Sequence, residues 1–147
     1  MLSVDTNLLL PAIESGNPEH ESAAAFLNSL ENREDVAISE FVLLELYNLL
    51  RNPAVLARPL ETGAAVDVCE AFRQHPRWQL IGFPRDSRAF HDAFWPRLRE
   101  KDFARRRSYD WRMGLCLLRQ GVTEFATVNI KDFKGIGFRR VWNPLES

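Results

Sequence analysis

Short apolar runs bounded by turn residues alternate along this chain with longer stretches whose apolar positions recur every three or four residues. The short runs predict strands at Leu2 to Asp5, Val36 to Ser39, Trp78 to Phe83, Phe125 to Asn129 and Arg139 to Trp142. The longer ones predict helices, most clearly Phe41 to Leu50 and the run Met113, Leu115, Cys116, Leu117, Leu118, which Gly121 should stop. Asn17 before Pro18, Ser39, Asp86 and Ser108 carry the side-chain oxygens that cap helix starts. Asn52-Pro53 and Arg58-Pro59 break any helix between Arg51 and Thr62. Strands alternating with helices imply βαβ units, a parallel sheet, and right-handed crossovers that place helices on both faces. The expected fold is therefore α/β: a three-layer α/β/α sandwich around a mainly parallel sheet of four or five strands. A chain of 147 residues supports a single domain over 1–147 that can bury a core without disulfides or a structural metal.

Four acids fall where such a fold would aim them at one point. Asp5 ends the first strand, and the carboxyl ends of strands in an open parallel sheet are where ligands bind. Asp110 opens the helix that follows Ser108, and Asp132 follows the strand Glu124 to Val128 by a turn containing Asn129. Glu45 lies within the Phe41 to Leu50 helix, on an arc with Asn48 and Asn52. Each has an ordinary reading beside the functional one: Asp5 as a helix cap, Glu45 as part of an exposed polar face, Asp110 as a first-turn acid favoured by the helix dipole, Asp132 as a turn cap. Thr6 and Asn7 offer capping oxygens of their own, which would free the Asp5 carboxylate. Acids converging within a few ångströms repel unless a divalent cation neutralises them, and hard oxygen ligands suit magnesium or manganese.

Charge sharpens this picture. The net charge of −1 hides nine acids against Arg33 alone in residues 1–50, and eleven acids against eighteen bases in residues 51–147. Arg97, Arg99, Lys101, Arg105, Arg106, Arg107 and Arg112 crowd the approach to Asp110, a placement suited to a phosphate backbone. The competing reading is a solvated face paired with Glu100 and Asp102. Cys69 and Cys116 sit in apolar helical patterns without metal-ligand spacing to any histidine, as expected of buried, reduced thiols. Asp5 interrupts the first apolar residues, there is no basic leader, and no apolar stretch is long enough to span a bilayer, so a cytoplasmic protein without membrane contact is expected.

The segments Ser3-Val4-Asp5-Thr6-Asn7, Ser39 through Glu45-Leu46, Asp110 opening a helix, and Thr127-Val128-Asn129-Ile130-Lys131-Asp132-Phe133 resemble, in order, the motifs of PIN-domain ribonucleases. The stretch Phe41 to Pro53 and the ending Val141-Trp142-Asn143-Pro144-Leu145 are similar to VapC toxins of bacterial type II toxin–antitoxin pairs. The resemblance covers nearly the whole chain, with one departure: Trp111 and Arg112 stand where relatives usually carry small apolar residues after the helix-opening acid. It implies the same three-layer fold. It also implies a metal-dependent endoribonuclease in which Asp5, Glu45, Asp110 and Asp132 bind one or two Mg2+ or Mn2+ ions that activate water for in-line attack, leaving a 5′-phosphate and a 3′-hydroxyl. Thr6 and Asn7, supported by Asn129, would orient water, and Arg105, Arg106, Arg107 and Arg112 would hold the RNA. Three roles stay open for Asp132: direct ligand, ligand through water, or turn cap.

The expected partners are the RNA substrate, a cognate antitoxin and a second copy of the chain in a homodimer through another helical face. The antitoxin would cover the acidic pocket with a basic side chain, its helix entering a groove formed by Val42, Leu46 and Leu49 with the segment Pro53 to Leu60. Other classes fit less well. An aspartyl-phosphate phosphatase wants a second acid where Asn7 stands, and a phosphoacceptor receiver wants a late-strand lysine, whereas Lys131 lies beyond its strand. A solitary RNA-processing nuclease shares every acid. An inactive PIN-fold RNA-binding or protein-interaction module would be expected to have lost some of them.

Overall fold

A computed structural model describes residues 1–146. Five parallel strands, β1 (Leu2–Val4), β2 (Val36–Ser39), β3 (Gln79–Ile81), β4 (Glu124–Ala126) and β5 (Arg140–Trp142), form one sheet in the order β3-β2-β1-β4-β5. β1 is central and wholly buried, and its one polar side chain is satisfied: Ser3 Oγ donates to the Ala37 carbonyl at 2.6 Å. The strands are shorter than the sequence suggests. Past the strand ends the amides of Asp5 and Thr127 still donate to Ala126 O and Trp142 O, each at 2.9 Å, while their side chains turn to the site.

The sheet runs outward from β1 through β2 to β3, then returns to the other side of β1 for β4 and β5. Right-handed crossovers then put α1 (Thr6–Ile13), α2 (His20–Leu30), α3 (Glu40–Leu50) and α4 (Thr62–Arg73) on one face. The other face receives α5 (Ser87–Phe94), a 3-10 turn (Trp95–Arg99), α6 (Arg107–Arg119) and the short α7 (Ile130–Phe133). Packing follows the same division, α1 with α2 and α3, α3 with α4, α5 with α6, and α6 with α7. This is the expected three-layer architecture. The reversal of strand order at β1 and β4 opens a crevice at their carboxyl ends, the usual ligand position in such sheets.

Local chemistry explains most boundaries. Ser39 caps α3 through Phe41 N, and Asp86 caps α5 through Ala89 N at 2.9 Å. α6 ends in a Schellman turn: Gly121, at φ +94°, donates to Leu118 O, and Val122 donates to Leu117 O. Four expectations need correction. Asp5, not Thr6 or Asn7, caps α1, accepting from Thr6 N, because the helix begins two residues earlier than its apolar pattern suggests. Ser108 lies inside α6, whose cap position is Arg106 with no side-chain bond; its hydroxyl donates back to Arg105 O at 2.7 Å. Asn17 accepts from Glu19 N within the turn that precedes α2 and does not cap that helix. Val42 and Leu46 are in the core, so the expected groove does not form as drawn: Leu46 is fully buried, Val42 reaches only the wall of a small cavity shared with Tyr109, and Leu49 alone of the three keeps partial exposure. Cys116 is buried as expected, whereas Cys69 is only partly so and donates its thiol to Leu43 O. Among the described residues, no helix is long and apolar enough to cross a membrane.

Candidate active site

The end of β1 hands its last carboxylate directly to the crevice. Asp5 Oδ1 accepts from Thr6 N at 2.7 Å; Oδ2 accepts from Thr127 Oγ1 at 2.7 Å and from Asn7 Nδ2 at 3.2 Å. Thr127 follows β4 and joins three groups: besides Asp5, its hydroxyl accepts from Asn7 Nδ2 at 3.2 Å and from Asn129 N at 3.0 Å. Asn7 Oδ1 completes the cross-link by accepting from Val128 N at 3.2 Å. Asn7 therefore fixes the carboxylate and the β4 exit loop. Thr6 donates its hydroxyl to Val42 O at 3.2 Å, tying α1 to α3 one turn before Glu45. Thr127 opens the motif that runs to Phe133 but had no role assigned in the sequence; its polar side chain two residues before Asn129 was the available signal.

Asp5, Glu45, Asp110 and Asn129 line one cavity of about 350 Å³, together with Asn7 and apolar walls from Leu10, Leu49 and Leu145. Among the described residues, no basic side chain lines it. Burial pushes the Asp5 carboxyl from 3.8 up to about 7, against the hydrogen bond from Thr127, with the Glu45 and Asp110 charges adding to the rise. Asp110 is raised to about 6, first by burial, then by Glu45 and Asp132, while Arg107 opposes. Glu45 has a largely exposed surface, yet desolvation at the cavity raises its carboxyl too, with a hydrogen bond from Thr6 pulling the other way. Asp132, in the first turn of α7, is half-buried and does not line the cavity; it is near enough to raise Asp110.

Among the described residues, no three His, Cys, Asp or Glu side chains already stand close enough to grip one ion. The carboxylates surround a shared volume. The donor set nonetheless fits a hard divalent cation. It is all oxygen, it is raised in pKa by mutual repulsion and burial, and it leaves room for the waters that magnesium retains. Asp5, Glu45 and Asp110 would hold such an ion.

The basic residues divide into two kinds. Arg107 is half-buried: its guanidinium donates to Asp132 O at 3.2 Å and Lys134 O at 3.3 Å, and lies 5.3 Å from the Trp111 ring centroid and 5.6 Å from that of Phe103. Arg97 also stacks on Trp111, at 5.0 Å, and donates to Gly135 O and Ile136 O. Trp111, the departure from the usual small residue, thus anchors two arginines that bind the carbonyls of the Asp132 loop. The clamp leaves Arg107 Nε and Trp111 Nε1 buried without partners. Arg107 thus braces the Asp132 loop, a role its sequence context did not suggest. Arg105 and Arg106 are exposed, and Arg112 rests over Phe41 and Phe83 at 5.8 and 5.4 Å. Among the described residues, none of these forms an ion pair with Glu100 or Asp102, so the solvated, self-paired face is not observed.

A five-stranded parallel sheet with Asp5 at the end of its central strand, and Glu45 of α3 and Asp110 of α6 beside it, has the form of a PIN-type nuclease, and known proteins agree on the family. The PIN domain family matches residues 2–92. Ribonuclease VapC24 of Mycobacterium tuberculosis (strain CDC 1551 / Oshkosh) is 48% identical over 147 residues, spanning 100% of this chain and 99% of its own length. Among solved structures, VapC20 of M. tuberculosis, described as a sarcin-ricin loop cleaving toxin, has a TM-score of 0.60 at 19% identity, over 85% of this chain and 87% of that one. VapBC2 from Rickettsia felis, bound to a DNA fragment from its promoter, reaches 0.64 at 19% identity over 97% and 98%. The chain belongs to the PIN-domain family and, within it, to the VapC ribonucleases. The family match ends before Asp110 and Asp132, which the full-length relative spans.

Two outcomes test this geometry. The unfolded chain releases its aspartate protons near 3.8, whereas folded Asp5 holds its own to about 7, so the native state binds more protons between these values and loses stability as pH rises through them. At about 1.4 kcal/mol per pH unit, the Asp5 contribution is on the order of 4 kcal/mol. Metal-free protein should show a Tm that falls from pH 4 to 7, and Asp5→Asn should flatten that fall; a Tm rising across the window would refute the buried-acid assignment. Arg107→Ala should cost about 2 kcal/mol in urea unfolding, as expected for lost charge-assisted bonds. Arg105→Ala and Arg106→Ala should stay within about 0.5 kcal/mol.

Proposed function

We propose that this protein is a metal-dependent endoribonuclease acting as the toxin of a toxin–antitoxin pair. The observation that carries the reading is the convergence of Asp5, Glu45 and Asp110, from β1, α3 and α6, on one cavity with no basic side chain in its wall among the described residues. A magnesium or manganese ion bound there supplies the positive charge that activates water and stabilises the leaving oxygen of a phosphodiester. This chain's residues do the remaining work. Thr127, Asn7 and the Thr6 amide hold the Asp5 carboxylate in one orientation, so its ligand geometry is set before substrate arrives. Asn129 places an amide on the cavity wall. The Arg97–Trp111–Arg107 clamp fixes the loop carrying Asp132, whose charge acts on Asp110. Arg105, Arg106 and Arg112 remain for the RNA backbone, and no protein nucleophile is needed.

The antitoxin partner follows from VapC family membership and from the cavity, since a guanidinium can pair with carboxylates otherwise neutralised by metal. With Val42 and Leu46 buried, its contact is the cavity mouth around Leu10, Pro11, Leu49 and Leu145. Self-association into a homodimer and action on cytoplasmic RNA belong to the same reading, and sedimentation measures the former.

Purified protein with Mg2+ or Mn2+ should cut RNA and lose the activity with EDTA. Asp5→Asn and Asp110→Asn should each reduce cleavage to background while unfolding, metal-free, at or above the wild-type temperature; Asp132→Asn should lose less. Full activity in either of the first two variants would sink the metal-site assignment. Co-expression with the product of a neighbouring small gene should give a complex that cleaves poorly even with added Mg2+, and robust cleavage by the intact complex would remove the antitoxin from the reading.

A further inference from the structure

Beside the acidic cavity the surface changes character. Tyr109, immediately before Asp110, is 73% exposed, and Trp95, opening the 3-10 turn, is 62% exposed. Both line a cavity of about 390 Å³ with Phe94, Phe103, Arg105 and Arg112, and no acid enters its wall. Tyr109 and Arg112 also line an adjoining cavity of about 360 Å³ whose other wall contains Glu45 and Asp110. Those two acids are shared in turn with the cavity that holds Asp5. A continuous trough therefore runs from the candidate metal acids, past Tyr109 and Arg112, to an aromatic recess with two arginines.

Large aromatics gathered on one exposed recess mark a surface that a partner covers. Here the cover must also satisfy Arg105 and Arg112, neither of which has a carboxylate partner among the described residues. Arg112 is held by the Phe41 and Phe83 rings with its charge uncompensated, which suits a phosphate. Aromatic faces beside unpaired arginines, along a groove leading to a phosphodiester-cleaving centre, are the chemistry of single-stranded nucleic acid, with bases stacking on rings and phosphates lying on guanidinium groups.

We propose that this recess is a base-stacking subsite for a nucleotide flanking the scissile phosphate, with Tyr109 and Trp95 as the platforms and Arg105 and Arg112 as the phosphate contacts. The inference rests on the ribonuclease reading and adds to it that the substrate strand is unpaired where it leaves the acids. Tyr109 gates the trough, since it alone among the aromatics borders both the recess and the Glu45–Asp110 wall.

The test uses the full chain in EDTA, which keeps RNA intact, with single-stranded RNA carrying 2-aminopurine at successive positions. Stacking on an aromatic ring should quench the probe at one or two adjacent positions. Tyr109→Ala and Trp95→Ala should remove that quenching and weaken binding at least about fivefold, the lower range for loss of one base–aromatic stack. Tyr109→Phe, which keeps the ring, should restore both. With metal, Tyr109→Ala should raise KM more than it lowers kcat and shift the preferred cleavage position. Quenching and affinity that persist in both alanine variants overturn the subsite while leaving the ribonuclease reading standing. So does a change of sedimentation state in Tyr109→Ala, which would assign the recess to contact between copies. A wild-type protein that neither binds nor cuts RNA removes both.

Discussion

The Asp5 carboxylate is buried where two strands diverge, and the surrounding architecture exists to hold it there. β1 is central in the sheet, so its carboxyl end cannot be solvated from the side, and a charge placed there carries a desolvation penalty that only fixed donors or a cation can offset. Thr127, Asn7 and the Thr6 amide provide three donors. They do not suffice, because burial still lifts the group to about 7. The fold therefore stores unfavourable electrostatics at one point, and Glu45 and Asp110 increase it. Structures retain such an arrangement where binding a cation relieves it.

The other half of the molecule answers this with positive charge used in two ways. Arg97 and Arg107 are spent on structure. Stacked on Trp111, they bond the carbonyls of residues 132, 134, 135 and 136, a loop with only one turn of helix to organise it. Arg105, Arg106 and Arg112 keep their charge available to solvent and substrate. A net charge of −1 thus conceals a separation in which acids surround one cavity and free bases border a groove, so a polyanion can approach a centre that would otherwise repel it.

Much of this was legible in the sequence, and the failures have physical causes. Strand-end acids, the parallel sheet and the Gly121 stop follow from periodicity and turn chemistry, which act locally. The cap at Ser108 was misplaced because the Arg105 to Arg107 turn already winds helically before it, a choice made by Arg107 reaching the Asp132 loop rather than by local propensity. The groove assigned to Val42 and Leu46 was an apolar helix face read without its partners, and α1 and α4 pack against that helix. Arg107 could not be told from its neighbours, since consecutive residues on a helix point about 100° apart and only the tertiary contacts say which one turns inward. Thr127 had no role in the sequence, and Tyr109 no mention, for a related reason: one hydroxyl among several and one aromatic among many gain meaning only from what stands opposite.

The central claim is that buried, mutually repelling carboxylates are completed by a divalent cation. Calorimetric titration of the protein with Mn2+ near pH 6.5, repeated in buffers of different ionisation enthalpy, measures it directly. Because Asp5 and Asp110 titrate near 7 and 6, ligation should expel protons, and the apparent heat should vary with buffer in proportion to their number. Saturable binding with proton release, abolished by Asp5→Asn, is the expected result. Absence of binding, or binding whose heat is independent of the buffer, would contradict the account.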